Sequence, residues 1–244
     1  INQPDPAGTL FWQNPNPADR QFHHIIEFTE QRPELQQFIR LLFGQEDLDA
    51  TLDMGFLGRP HLGSLALQFY LSDTVEIEGS ALHSFTTRLR EDVRNGEVRI
   101  FVAGSVFGGA GAASVPTIAA FLRGLDLGRY AGNLRYGCAM LTPYFGFPQP
   151  DHQVGEHDID QSMMPDTERH MVATQGALLH YAKVPPPYNH VWLCGAPTLF
   201  QTAARWAPGG ENQANEPHYI ELIAAIAAID FFRCRIFSRT TLCF

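Results

Sequence analysis

The sequence is poor in lysine and in positive charge. Only one of its 244 residues is a lysine, Lys183, and 26 acidic side chains outnumber 17 basic ones, for a formal net charge of −9 at pH 7. Nucleic-acid phosphates are bound by clustered lysine and arginine, so this balance excludes a nucleic acid as the main partner. It also limits the kinds of phosphate loop that the chain can form, since some of them require a lysine.

Long apolar runs and paired cysteine motifs are missing as well. No run of apolar residues is long enough for a transmembrane helix, and no signal-peptide pattern opens the chain. The four cysteines form no CxxC pair, and Cys138 and Cys194 stand in apolar, strand-like runs where a thiol acts as a small hydrophobe. These features predict a cytoplasmic protein with no membrane partner. Because the chain starts at Ile1, we expect a further N-terminal piece to precede it.

Strand-like and helix-like segments alternate along most of the chain. "VRIFVAG", "LRYGCAMLTPYFGF" and "HVWLCGAP" read as strands, and "ALHSFTTRLREDVRNGE", "VPTIAAFLRGL", "DTERHMVATQGALLHYAKV" and "NEPHYIELIAAIAAIDFF" as helices. This alternation predicts an α/β, Rossmann-like fold with a mainly parallel sheet flanked by helices. We expect an extended arm over residues 1–20 and a single α/β domain over 21–244, with room for a helical insertion. An early helix is expected to place Phe38, Leu41 and Leu42 on one face.

The most informative segment is "VRIFVAGSVFGGAGAASVPTIAAFLRGL", residues 98–125. A strand, a glycine-rich turn and a helix N-terminus form an arrangement that binds phosphate, because free backbone N–H groups and the helix dipole point at the anion. Glycine lets the backbone approach a ligand and permits positive φ. Pro116 is expected in the first turn of its helix, which would then begin near Ala112 to Ser114. A purely structural tight turn is the alternative.

Other phosphate and catalytic loops fit this segment less well. The only lysine lies far beyond the glycines, which excludes a Walker A loop. "GAGAAS", residues 109–114, loosely fits a Rossmann loop, but the next strand ends without the acidic residue that would bind a ribose. "GSVFG" has its serine in the wrong place for a hydrolase nucleophile.

"FGGAGAAS" resembles the glycine-rich phosphate loop of the tubulin and FtsZ superfamily, whose pattern is GGGTGSG or GGGTGTG. "SVFGGAGAASVPTIA" is similar to the FGGTGASG-P-T loop of bacterial tubulin-like proteins, with Ala110 where that family has threonine. The resemblance implies GTP or GDP as the ligand, accompanied by Mg²⁺. It implies nucleotide contacts from the loop residues Ser105, Phe107, Gly108, Gly109, Ala110, Gly111 and Ala112.

More distant residues complete the expected site. The resemblance implies a central helix whose early polar residues touch the base, with Thr167, Thr174 and Gln175 as candidates. In "GFLGRPHLG", residues 55–63, Arg59 is a candidate for binding the γ-phosphate, although a solvated charge is the commoner role. In the superfamily a neighbouring subunit supplies the catalytic acid, which implies head-to-tail self-assembly and a weak or interface-dependent GTPase. Asp230 is the candidate acid.

Two further functions remain open. One is a non-catalytic interaction or sensor domain on the same fold, and the other is a dinucleotide-dependent oxidoreductase. No metal site of the chain's own is expected. The acidic, histidine-bearing segment "DHQVGEHD", residues 151–158, favours a solvated loop, and His218 with Glu221 at a helix start needs no metal.

Overall fold

The computed structural model describes residues 22, 33–50, 56, 58–143, 145–146, 170–196, 200–201, 218–233 and 242–243. The predicted arm over 1–20, Thr167 and the segment 151–158 lie outside these ranges. The helices are α1 Pro33–Leu42, α2 Gln45–Leu48, α3 Pro60–Val75, α4 Ala81–Asn95, α5 Gly109–Gly124, α6 His170–Lys183 and α7 Tyr219–Arg233. The strands are β1 Val98–Ser105, β2 Leu134–Leu141, β3 Phe145–Gly146, β4 His190–Cys194, β5 Phe200–Gln201 and β6 Leu242–Cys243, and a 3-10 helix spans Gly128–Asn133.

The core of the fold is a parallel sheet. β1, β2 and β4 lie side by side in chain order, and the two-residue β6 extends the sheet beside β4. β1 pairs with β2 over its whole length, from Val98 opposite Leu134 to Ser105 opposite Leu141. Parallel neighbours require long crossover connections, which α5 and α6 supply. The predicted α/β class with a parallel sheet flanked by helices is therefore confirmed.

Helices cover both faces of this sheet. Along β2, Cys138 and Met140 point toward α5 and α6, whereas Ala139 and Leu141 point toward α7. Cys138 and Cys194 are both buried and act as small apolar side chains, as predicted. α7 approaches β2 closely because Gly137 has no side chain: a Cβ there would lie 2.9 Å from the ring of Phe231. None of the helices within the described ranges is long and apolar enough to cross a membrane.

The first three helices form a second apolar cluster beside α5. Ile39 of α1, Leu48 of α2 and Leu62 of α3 are its buried members, together with Phe22 and Phe56. α1 enters this cluster through a face other than the one that carries the predicted apolar residues. Its buried face is centred on Ile39, and the three apolar residues of the predicted face are exposed, namely Phe38, Leu41 and Leu42.

Pro116 lies in the middle of a helix rather than in its first turn. α5 begins at Gly109, so the prediction that this helix starts at 112–114 was wrong. Proline has no N–H, and the carbonyl four residues earlier, that of Ala112, loses its helical donor. The Tyr181 hydroxyl replaces that donor and gives its hydrogen bond to the Ala112 carbonyl at 2.9 Å. The Tyr188 hydroxyl similarly donates to the Val115 carbonyl.

We expect Tyr181→Phe to lower the free energy of unfolding by about 1–2 kcal/mol, because it leaves a buried carbonyl without a donor. In a Pro116→Ala background the new amide N–H supplies that donor, so the same substitution should cost much less. Urea unfolding of the four proteins in this double-mutant cycle measures the difference. An equal cost in both backgrounds would show that Tyr181 does not act through the Ala112 carbonyl.

Candidate functional site

A cleft of about 490 Å³ opens at the carboxyl end of β1. This is the edge of a parallel sheet where ligands of α/β proteins usually bind. One wall is the start of α3, the floor is the turn after β1 together with the first half of α5, and the other wall is α6. The lining residues are Pro60, His61, Ser64, Val106, Phe107, Gly108, Ala112, Pro116, Ala173, Gly176, Ala177, His180 and Tyr181.

The N-terminus of α5 lies at this cleft. Gly108 is the N-cap residue, with extended φ of −95° and ψ of 175°, and no side chain of the described residues caps the helix. The first amides of an α-helix have no partner within the helix, and here they carry the positive end of the dipole of a helix of 16 residues. Gly108 and Ala112 line the cleft, so the cleft reaches the N-cap and the first turn of this helix.

Most of the loop glycines are explained by contacts within the protein. A Cβ at Gly109 would lie 2.9 Å from the Phe56 carbonyl oxygen, and a Cβ at Gly111 would overlap with the backbone of Ser105. A Cβ at Gly104 would lie 3.3 Å from the Gly111 Cα atom. The positive φ values of the described glycines occur at positions 58, 79 and 128, outside this loop. These glycines therefore allow α5 to start in direct contact with β1, Phe56 and Gly58.

Gly108 is different, because its open side faces the cleft. A Cβ there would meet only the Ser105 hydroxyl oxygen, at 3.1 Å. Among the predicted loop residues, the structure brings Phe107, Gly108 and Ala112 to the cleft. Ser105, Gly109 and Gly111 lie in the contacts described above. Ala110 is exposed, and its carbonyl accepts a hydrogen bond from the Ser114 hydroxyl at 2.7 Å.

Arg59 lies immediately before α3 and is held by acidic side chains. Its guanidinium contacts Glu46 at 2.6 Å and Asp47 at 3.2 Å, both on α2. His61, two residues after Arg59, contacts the same Asp47 carboxylate at 3.4 Å and lines the cleft. The ring of His61 also stacks on Phe43, with 5.7 Å between ring centres.

The base-contact candidates lie on α6, the crossover helix between β2 and β4. Thr174 is buried and its hydroxyl donates to the His170 carbonyl at 2.7 Å, while Gln175 is exposed. Neither lines the cleft. The α6 residues that do line it are Ala173, Gly176, Ala177, His180 and Tyr181, and the sequence prediction missed them. The small residues at 173, 176 and 177 are spaced three and four apart and so share one helix face. This pattern in the sequence could have indicated that the helix forms a wall of the cleft.

Asp230 lies at the opposite edge of the sheet from the cleft. Ile220, at the start of α7, packs with Phe107 after β1. At the other end of α7, Arg99 near the start of β1 donates to the Phe231 carbonyl at 2.7 Å. α7 therefore runs from the glycine-loop edge to the far edge, and Asp230 is exposed there.

The residues at the start of α7 cap the helix. The Glu221 carboxylate accepts from the His218 amide at 3.2 Å, and His218 Nδ1 accepts from the Ile220 amide at 3.3 Å. This reciprocal pattern satisfies orphan helix donors as a capping box does. Among the residues that the structure describes, no group of three or more His, Cys, Asp or Glu side chains is placed to bind a metal.

Below the cleft lies a buried cluster of a thiol and two phenols. Burial raises the pKa of Cys138 and the pKa of Tyr181 each to about 12, and it also raises the pKa of Tyr188. Elsewhere in the core, burial lowers the pKa of His190, with Arg135 and Arg99 adding to the effect. These groups are neutral at pH 7. They pack and donate hydrogen bonds, and Cys138 is not an activated nucleophile.

Comparisons of the chain with protein-family models, with curated proteins and with solved structures gave no match. The function proposed below therefore rests on the geometry of the cleft and on the resemblance of the glycine loop.

The buried cluster predicts a loss of stability at high pH. Because the folded-state pKa of Cys138 is raised from 9.0 to about 12, the unfolded chain releases this proton first above pH 9. The unfolded state then binds fewer protons, and the free energy of unfolding falls by up to about 1.4 kcal/mol per pH unit for each such group. Urea unfolding between pH 7 and pH 10 should show this decline. Cys138→Ala should flatten it, and an unchanged slope in that variant would contradict the assignment.

Proposed function

We propose that this protein binds a guanine nucleotide in the cleft, with the phosphates at the N-terminus of α5. The observation that carries the proposal is the uncapped start of a long helix opening into a cleft at the carboxyl edge of a parallel sheet. The resemblance of the loop to that of the tubulin and FtsZ superfamily supports guanine as the base and the tubulin-like version of the fold.

The two parts of the cleft suit the two parts of a nucleotide. The amides after Gly108 offer donors and a positive dipole to the phosphates. The apolar walls formed by Val106, Pro116 and Ala177 suit a flat, weakly polar base. Mg²⁺ would arrive with the nucleotide, because it keeps most of its waters and takes its other ligands largely from phosphate oxygens.

Hydrolysis, if it occurs, would need a second subunit. Within the described residues, no acidic side chain lines the cleft. Phosphoryl transfer depends on positioning and electrostatics, so a site without these groups would be slow. In a head-to-tail assembly the far edge of one subunit, which carries Asp230, meets the cleft edge of the next. The position of Asp230 at that far edge supports its proposed role as the acid supplied to a neighbour.

Gly108→Asp and Gly108→Asn form a matched pair that tests phosphate binding. Both side chains cap helix N-termini well, and the extended φ and ψ of Gly108 suit either residue. Only aspartate brings a negative charge to the phosphate position. In wild type, GTP at a hundredfold excess over Kd should stabilise the fold by about 2.7 kcal/mol. We expect Gly108→Asp to lose most of this thermal shift and Gly108→Asn to retain much of it.

The control is the unfolding temperature without ligand, which should be the same or higher in both variants. Gly109→Val does not serve here, since it would collide with Phe56 and disturb the fold. GTP, GDP and ATP are compared in parallel. The proposal is wrong if no guanine nucleotide shifts the wild-type melting curve.

Turnover should depend on assembly. GTP hydrolysis per subunit is expected to be slow in dilute protein and to rise with protein concentration, because each complete site needs two subunits. Asp230→Asn should abolish the rise, whereas Glu91→Gln, a matched exposed acid on α4, should not. A brisk rate of hydrolysis that is independent of protein concentration would contradict the shared site.

Ala110→Thr, which adds the hydroxyl of the family pattern at an exposed position, should tighten nucleotide binding.

A specific observation favours the second candidate, an interaction domain. The outer face of α7 exposes a stripe of apolar side chains, formed by Tyr219, Leu222, Ile223, Ile226, Ile229 and Phe232. Exposed apolar stripes of this kind mark protein contacts. The nucleotide measurements above separate the candidates, since a pure interaction domain shows no response to GTP.

A further inference from the structure

Asp47 holds two basic side chains at one wall of the cleft. Its Oδ1 atom lies 3.2 Å from Arg59 Nη1 and 3.4 Å from His61 Nε2. The side chains of Asp47 and Arg59 are each only 24% exposed, so water screens this contact less than it screens an open surface pair. Glu46 contacts the same guanidinium but is 81% exposed, and it contributes little.

His61 lines the cleft beside the proposed phosphate position, and the Arg59 backbone lies close to the same helix start, while the Arg59 guanidinium contacts α2. Phe56 and Gly58 contact the first residue of α5, since a Cβ on Gly109 would lie 2.9 Å from the Phe56 carbonyl oxygen and 3.0 Å from the Gly58 nitrogen. The Arg59 amide donates to that same Phe56 carbonyl at 2.7 Å. His61 then lines the cleft opposite Ala112 of α5. Arg59 and His61 are thus fixed in the chain next to the uncapped helix start.

We propose that Arg59 and His61 form a second contact for the terminal phosphate of a polyphosphate, and that Asp47 competes with this phosphate and so sets the affinity of the cleft. The inference rests on the proposed function for its choice of ligand. A guanidinium binds carboxylate and phosphate with the same planar fork of donors, so one anion can replace the other. A terminal phosphate carries more charge than the carboxylate that it displaces.

Asp49 supplies a matched control on the same helical segment. It accepts hydrogen bonds from the Gln45 side chain at 3.0 and 3.1 Å and ends α2 as its C-cap residue. Asp47→Asn and Asp49→Asn change the net charge equally, and only the former removes the carboxylate that contacts both Arg59 and His61. A general electrostatic effect would therefore appear in both variants, and the proposed competition in one.

The experiment measures the dissociation constant of inorganic tripolyphosphate by calorimetry for wild type, Asp47→Asn, Asp49→Asn and the double variant Asp47→Asn/Arg59→Met. Removing one opposing charge at about 4 Å should tighten binding about fivefold in Asp47→Asn. Asp49→Asn should change the dissociation constant less than about twofold. In the double variant Asp47→Asn/Arg59→Met the tighter binding of tripolyphosphate should be lost. Asp47→Asn should also unfold at a lower temperature, because it loses an ion pair. Tighter binding by a less stable protein is not a result that a merely structural role produces.

Equal effects of Asp47→Asn and Asp49→Asn would overturn the inference, as would the absence of tripolyphosphate binding in both wild type and Asp47→Asn. Tighter binding of tripolyphosphate that persists in Asp47→Asn/Arg59→Met would also overturn the inference. GTP is titrated in parallel to separate the two proposals. Tripolyphosphate binding that follows the predicted order without any GTP binding would refute the nucleotide proposal and leave this anion contact standing.

Discussion

The structure depends on one close contact, in which the first turn of α5 lies directly on the end of β1. Gly111 touches the backbone of Ser105, and Gly109 touches Phe56 and Gly58. A side chain at either glycine would push the helix away from the strand, because buried backbone atoms cannot move aside as a flexible side chain can. The starting point of α5 is therefore fixed by the absence of two Cβ atoms.

The position of α5 in turn determines the opposite wall of the cleft. Starting at Gly109 places Pro116 in the middle of the helix, where it leaves the Ala112 carbonyl without a helical donor. Tyr181 of α6 supplies the missing hydrogen bond, and its side chain also lines the cleft. A buried carbonyl in need of a donor thus specifies how α6 packs, since few other placements would satisfy it.

The sequence predicted the fold well where its signals are local. Each of β1, β2, β4 and α4 to α7 is indicated by a single continuous stretch of the sequence, and the structure contains all of them. Two features that the sequence did not predict involve distant partners. Pro116 lies in mid-helix, and Tyr181, far along the chain, donates to the carbonyl that the proline leaves without a helical donor. In α1 the apolar residues lie on more than one face, and tertiary packing selected the face of Ile39.

The candidate site was predictable only in part, for the same reason. The loop pattern identified Phe107, Gly108 and Ala112, because a strand, glycines and a helix follow one another in the chain. It gave no indication of His180 or Tyr181, whose proximity depends on how α6 packs. Arg59 was chosen for its charge, and its acidic partners on α2 became visible only in three dimensions.

The structural turn and the proposed phosphate site involve different residues of the glycine loop. Gly109 and Gly111 make the protein contacts that fix the start of α5. Gly108 takes no part in that packing beyond the Ser105 hydroxyl, and it lines the cleft at the start of α5. The tight turn is what makes an anion site possible, because a helix start can present its amides to a ligand only if the chain before it occupies little space.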